Sequence, residues 1–358
     1  MSSLRYLHWK LLTDLQGPLR DEREVEKTTT RILHSSELEE LVKTIAWQIR
    51  RIAHVASYDP GWTPGIPTKI VIQKDNGKTR TAWSPSNEDY VQQLYLLHGV
   101  VKPIVEANLS EQSHAFRSGH STDTATGQVI LAVKRLAGQN IQINQEDFTD
   151  CFTTAPTKLV GHHFPKIVTG RIDAIQGRYR EVTMNEAWTP GLPQGFPLVP
   201  AIINLIIDKL IDPIRKRWKV SADIIVYADD ITIIAPRGTA RQIKQEMIEA
   251  LSEHGMRLNR KKSRRTVPRL GNWLPLLGLE IEWDHASATP TIRPRGKAYS
   301  NLSEKLADAV DINEMNGITR GWRNAYIRCN DPHHPGKTTQ AIKEGFLRRA
   351  NRPQPRTR

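Results

Sequence analysis

The chain has 358 residues, 38% hydrophobic, with 51 Lys and Arg against 38 Asp and Glu, a net charge of +13; this predicts one large domain or two to three small ones and a sizeable core. The basic surplus points to a polyanionic partner, nucleic acid first. No apolar run reaches the ~20 residues of a membrane span and no signal-peptide core opens the chain, while Cys151 and Cys329 alone make no disulfide framework, so a cytoplasmic protein is expected.

Residues 1–34 are polar and charged without a strong period and read as an N-terminal extension. Ser36-Glu37-Leu38-Glu39 is a capping box, followed at helical spacing by Leu38, Leu41, Val42, Ile45, Ile49 and Ile52. Pro and Gly over 58–68 end that helix. Lys69 to Gln73 predicts a strand, Asn76-Gly77 a hairpin turn, and a return strand carries Arg80 and Trp83. Lys74, Lys78 and Arg80 then gather near the hairpin tip. They form either a solvated edge or a clamp for a triphosphate.

Helices are expected over 87–106 and about 122–137, with a polar loop, Ala115 to Ser121, between them. Asn140 to Ile143 reads as a strand running into Asp147-Phe148-Thr149-Asp150. A carboxylate at a strand end suits a metal site on a sheet; Asp147 is the first choice and Asp150 the competitor. A helix near Arg171–Gln176 comes next, then a rigid Gly- and Pro-rich turn from Pro190 to Pro200 and a long apolar helix. That turn either only feeds a core helix or forms a backbone ledge for a planar base.

Asp223 to Val226 and Ile231 to Ile234 are β-branched runs joined by Tyr227-Ala228-Asp229-Asp230, which predicts a buried β-hairpin. Adjacent carboxylates at its tip repel one another, and a bound cation relieves the cost. Hard oxygen donors suit Mg2+. A solvated acidic turn is the plainer alternative. Thr239-Ala240-Arg241-Gln242 predicts a capping box for a helix running to His254 and stopped by Gly255. Lys261 and Lys262 follow. Leu276 to Ile281 reads as a hairpin strand, and the rest as helical, ending in a basic tail from Phe346 to Arg358. Cys329, His333 and His334 supply at most half a zinc set.

In this order the motifs resemble a reverse transcriptase of the bacterial group II intron-like lineage, over roughly residues 70–330. Tyr227-Ala228-Asp229-Asp230 is similar to the family's metal-binding hairpin. Asp147 with Phe152 resembles its first metal motif and sugar gate. Pro193-Gln194-Gly195 with Asn204, Phe116 to Ser121, Lys262-Ser263, Leu277-Gly278, and Arg320-Gly321-Trp322-Arg323-Asn324-Ala325-Tyr326 resemble further elements, the last from a group II-type thumb. Thr153, Val199 and Gln73 depart from the usual Asp, Ser and Pro, and none of these removes a metal ligand.

The resemblance implies an α/β (α+β) right-hand polymerase with fingers, a palm on an RRM-like βαββ sheet and a helical thumb. The expected division is 1–34 extension, 35–138 fingers, 139–290 palm with 157–190 returning to the fingers, and 291–358 thumb and tail. It implies RNA-directed DNA synthesis with two Mg2+ ions, Mn2+ being a substitute. Asp147, Asp229, Asp230 and the Phe148 carbonyl would hold metal. Lys74, Lys78 and Arg80 would hold triphosphate, Gln194 and Gly195 would line the nucleotide pocket, Phe152 would exclude a 2′-hydroxyl, and Lys262 would protonate pyrophosphate. The implied partners are an RNA template (a cognate structured non-coding RNA), a DNA primer or product, and dNTPs. A maturase or RNA scaffold and a template-independent polymerase are competing readings. Biological roles span intron mobility, retron-like systems, diversity generation and anti-phage defence. Too little chain follows the palm for a ~100-residue nuclease domain, which favours a stand-alone enzyme with a dedicated RNA in defence.

Overall fold

The computed structural model describes residues 62–73, 77, 79–182, 191–284 and 289–350. The Ser36 helix, Lys74, Lys78, Asn76, Pro190 and the tail beyond 350 lie outside the described residues.

β1 (Thr68–Gln73) and β2 (Thr79–Ser84) pair antiparallel, Thr68 opposite Ser84 and Gln73 opposite Thr79. Every residue of β1 is exposed, and β2 buries only Trp83. The Trp83 ring meets Tyr179 edge-on with centroids 5.2 Å apart. The expected helix over 87–106 is two helices, α1 (Asn87–Leu96) and α2 (Lys102–Asn108), joined through a π-helical turn at Leu97–Val101. α3 (Thr122–Arg135) opens on a true capping box, Ser121 with Thr124.

β3 (Ile141–Thr149) is longer than its apolar start suggested. After it, α4 spans Lys166–Val182, well beyond the expected 171–176, and α5 spans Val199–Trp218. β4 (Asp223–Tyr227) and β5 (Asp230–Pro236) are the acidic hairpin. α6 (Arg237–Ser252) starts directly from β5, with Pro236 as its N-cap and no side-chain cap bond. The Thr239 capping box is therefore corrected: the strand feeds the helix before Thr239 is reached. Gly255, at φ 78, does end it.

β6 (Arg257–Leu258) and β7 (Arg264–Thr266) return to β3, giving a five-stranded sheet ordered β4-β5-β3-β6, with β7 also on β3. The segment expected as one strand, Leu276 to Ile281, is a hairpin. β8 (Leu274–Leu276) and β9 (Leu279–Trp283) turn at Leu277 and Gly278, both at positive φ. β10 (Pro290–Pro294) joins β9, so the C-terminal region begins with a strand before α7 (Gly296–Asp308), α8 (Ile312–Ala325) and α9 (His334–Ala350).

Strand alternation sorts the central sheet into two buried faces. Ile224, Val226, Ile231, Ile233 and Ala235 pack with α5 and α6 residues such as Ile207 and Ile243. Ile225, Ile234, Ile141 and Ile143 pack with α3 and the β8-β9-β10 sheet. Burying each such side chain is worth about 1.5–3 kcal/mol, and a sheet covered on both faces holds its hairpin rigidly. No helix of the described residues is long and apolar enough to cross a membrane.

Candidate active site

Tyr227 pairs with Asp230, so Ala228 and Asp229 are the two turn residues. Ala228 sits at φ 55, a left-handed conformation that costs of order 1–3 kcal/mol and persists only where the surroundings impose it. Those surroundings are visible. Val226 N–H donates to the Gln112 carbonyl at 2.8 Å, and His114 N–H donates to the Val226 carbonyl at 3.0 Å. The Asp208 carboxylate of α5 accepts from Ser110 N–H at 3.0 Å and from the Ser113 hydroxyl, and Arg215 Nη1 meets it at 2.7 Å. Asn204 Nδ2 donates to the Ala115 carbonyl at 2.7 Å. The loop from Ala115 to Ser121 is thus hung on α5 beside the acidic turn.

Across the β3–β5 ladder Asp147 stands opposite Asp230. Asp147 is therefore the β3 carboxylate in register with the hairpin pair. Asp150 lies beyond the strand, exposed, at φ 50, and makes no side-chain cap bond. Like charges directly opposite on a ladder are destabilising, and the chemistry responds. The Asp230 carboxyl opens to the cleft on one side, yet its partial burial, then Asp229 and Asp147, push it up to about 6 against the pull of Lys262. Burial first, then Asp229 and Asp147, push the Cys151 thiol far up. Without a metal it stays protonated at neutral pH.

Lys262 Nζ lies 2.9 and 2.8 Å from the two Asp147 carboxylate oxygens. Among the described residues no three His, Cys, Asp or Glu side chains are grouped to hold a metal ion. The donor chemistry nevertheless fits a hard divalent cation. Asp147, Asp229 and Asp230 are all oxygen donors, and the like-charge strain at Asp230 is what a cation relieves. The Phe148 side chain is buried, and its backbone pairs with Leu258. Asp147 and Asp230 line a cleft of about 400 Å³, whose other walls include Lys261, Arg264, Arg295 and the Leu277-Gly278 turn.

A second group assembles around the Gly- and Pro-rich turn. Arg80 Nε donates to Gln194 Oε1. Trp83 N–H donates to the Gln194 carbonyl at 2.7 Å, so β2 docks on the turn through its backbone. Gly195 has φ 112, and a Cβ there would stand 2.3 Å from the Trp83 carbonyl oxygen. Leu192 N–H donates to the Phe152 carbonyl at 2.7 Å and Gly191 N–H to that of Thr153 at 2.8 Å. The Phe152 backbone is thereby tied to the turn. Cys329, His333 and His334 form no such centre. Burial first pushes the Cys329 thiol up to about 12, and His334 Nδ1 is engaged by the Tyr299 hydroxyl at 2.9 Å.

Sequence reasoning missed two residues around Asp147, Glu146 and Lys244, and gave Ser263 only as the motif neighbour of Lys262. Glu146, fully buried, is held by Lys244 Nζ at 2.6 and 2.7 Å and by the Ser263 hydroxyl. A Glu beside a strand-end Asp was the one signal of it.

Residues 72–291 match the family model described as reverse transcriptase (RNA-dependent DNA polymerase). The Gag-Pro-Pol polyprotein of human T-cell leukemia virus 2 is 32% identical over 109 residues, 30% of this chain and 7% of that protein. That of mouse mammary tumor virus (strain BR6) is 33% identical over 97 residues, 27% of this chain and 5% of that protein. The chain thus spans less than a tenth of these curated relatives. The structure of apo telomerase from Candida tropicalis aligns at TM-score 0.47 and 11% identity, over 79% of this chain and 56% of that one. Telomerase from Candida albicans in complex with a fragment of telomeric RNA aligns at 0.44 and 12%, over 85% and 64%. Because the family model takes in more than half of the chain, and the acidic hairpin falls inside it, the chain belongs to the reverse transcriptase family.

Proposed function

We propose that the chain is an RNA-directed DNA polymerase that adds dNTPs to a primer 3′-hydroxyl. The observation that carries this is the register of Asp147 opposite Asp230, with Asp229 in the intervening turn. The primer 3′-oxygen attacks the α-phosphorus, and the bond to pyrophosphate breaks. Asp147 and Asp229, with the Phe148 carbonyl, would hold two Mg2+ ions, and Asp230 would support the site. When bound, such ions lower the pKa of an attacking hydroxyl and offset charge on a leaving phosphate. Arg80, with Lys74 or Lys78, holds the triphosphate. Gln194 and Gly195 line the nucleotide pocket, and Lys262 gives its proton to pyrophosphate. The test is extension of a DNA primer on an RNA template with dNTPs; no product with any divalent cation would reject the reading.

In this reading the β1–β2 ribbon with α1 to α3 is fingers, the five-stranded sheet palm, and α7 to α9 thumb. The ring of Phe152 excludes a ribose 2′-hydroxyl. Phe152→Ala is expected to raise rNTP relative to dNTP incorporation by about 10²-fold, the scale on which packing one group in a pocket discriminates substrates. An unchanged ratio in an active variant would remove the gate.

The motif set supports a group II intron-like lineage, and the +13 charge supports a dedicated structured RNA as template. Truncation of residues 1–34, or of the tail from Arg348, should weaken binding of cognate RNA and reduce its salt dependence through counterion release. Simple primer extension should persist. Equal affinity for cognate and scrambled RNA in both full-length and truncated protein would mean that the charge is generic.

A further inference from the structure

Neighbouring residues on a strand point to opposite faces. Asp147 faces the cleft, and Glu146 faces α6, its side chain fully buried. Two other neighbours, Lys262 and Ser263, meet them one each: the Lys262 ammonium lies on Asp147, and the Ser263 hydroxyl donates to Glu146.

The segment that delivers them departs from the sheet edge. β6 pairs Leu258 with Phe148, and β7 pairs Arg264 with Gln145. The residues from Asn259 to Ser263 therefore loop out opposite Glu146 and Asp147. Asn259 organises this loop. Its N–H donates to the Asp147 carbonyl at 2.7 Å, and its carbonyl accepts from the N–H groups of Lys262 and Ser263, each at 3.0 Å. Its Oδ1 accepts from Lys261 N–H at 3.1 Å. From the far end of the loop, Ser263 reaches through to the buried side of the sheet.

A buried ion pair such as Glu146–Lys244 is weak support for stability, because desolvation offsets most of its attraction. Among the described residues Lys244 alone pairs with the Glu146 charge. The Ser263 contact adds geometry: it ties the residue after Lys262 to a fully buried, ion-paired carboxylate, one position before Asp147.

We propose that Ser263 is a positioning residue, and that Glu146, charge-balanced by Lys244, is the fixed point from which Lys262 is held against the catalytic carboxylate. This rests on the role given to Lys262 above.

The test compares Ser263→Ala, Ser263→Thr and Lys262→Ala in the full chain. Single-nucleotide extension gives kcat and the dNTP KM; amide hydrogen exchange over 259–263, in EDTA, reads the loop without metal or turnover. Ser263→Ala should lower kcat about tenfold, with KM changed less than about twofold, as for a misplaced group acting in the transition state. Its loop exchange should quicken while that of Ile141 to Asn144 stays slow, and Ser263→Thr, which keeps the hydroxyl, should restore both. Wild-type kcat and exchange in Ser263→Ala, beside a Lys262→Ala variant that has lost kcat, would overturn the positioning role. If Lys262→Ala keeps its kcat, the role of Lys262 itself fails. In that event unchanged exchange in Ser263→Ala overturns the anchor, and quickened exchange supports it.

Discussion

Asp229→Ala and Asp147→Ala are each expected to reduce primer extension by at least about 10³-fold, equivalent to ~4 kcal/mol of transition-state stabilisation. Folding should survive. Asp147 is opposite Asp230, and Asp229 is in the turn beside it, so either substitution removes like-charge repulsion from the metal-free protein. The melting temperature should hold or rise. The control is Asp150→Asn. Asp150 is left-handed, with φ 50 and ψ 45, a conformation that Asn tolerates and that costs Ala roughly 1–2 kcal/mol. Asp150→Asn should extend primers within about twofold of wild type, as surface changes usually do. Normal extension by Asp229→Ala or Asp147→Ala would sink the assignment. A dead Asp150→Asn beside an active Asp147→Ala would move the metal site from Asp147 to Asp150.

Gly195→Ala should damage the nucleotide site by another route. The new Cβ would lie 2.3 Å from the Trp83 carbonyl oxygen. That oxygen is backbone and cannot swing aside as a flexible side chain would. Overpacking of this kind costs about 1–3 kcal/mol, and holding alanine at φ 112 adds about 1–3 kcal/mol. The cheapest escape is for β2 to lift off the turn, which breaks the Trp83–Gln194 backbone bond and parts Arg80 from Gln194. The expected result is a lower melting temperature and a dNTP KM raised about tenfold, ~1.4 kcal/mol of binding. Gly119→Ala separates strain from collision: φ is 70 there, with nothing within 4 Å of the added Cβ. It should lose stability and keep KM. A Gly195→Ala protein with unaltered melting and KM would show that the contact between ribbon and turn does not shape the nucleotide pocket.

The hairpin at Asp229, the β1–β2 ribbon and α5 were legible in the sequence because each is written in local periodicity: Val and Ile runs for strands, apolar residues at helical spacing for α5. The choice of Asp147 over Asp150 was favoured by family likeness, and its physical basis is the ladder register with Asp230, which no local pattern carries. The helix start at Arg237 was misread because Thr239 offers good cap chemistry, while the strand before it decides where the chain turns. The Glu146–Lys244–Ser263 group was invisible for a different reason. Glu146 lies 98 residues from Lys244 and 117 from Ser263 in the chain, and no local pattern links the three.

The β1–β2 ribbon has an evolutionary consequence. Ile70, Val71 and Ile72 are 44%, 57% and 45% exposed, whereas Trp83 is 4% exposed. Changes along β1 that keep its β propensity leave the folding free energy almost untouched, since exposed sites away from caps, strain and buried polar groups rarely shift it by more than ~0.5 kcal/mol. Selection for folding therefore bears on Trp83 and spares its neighbours across the ladder. The ribbon can drift with whatever it touches, generation by generation, while the carboxylates stay where the sheet holds them.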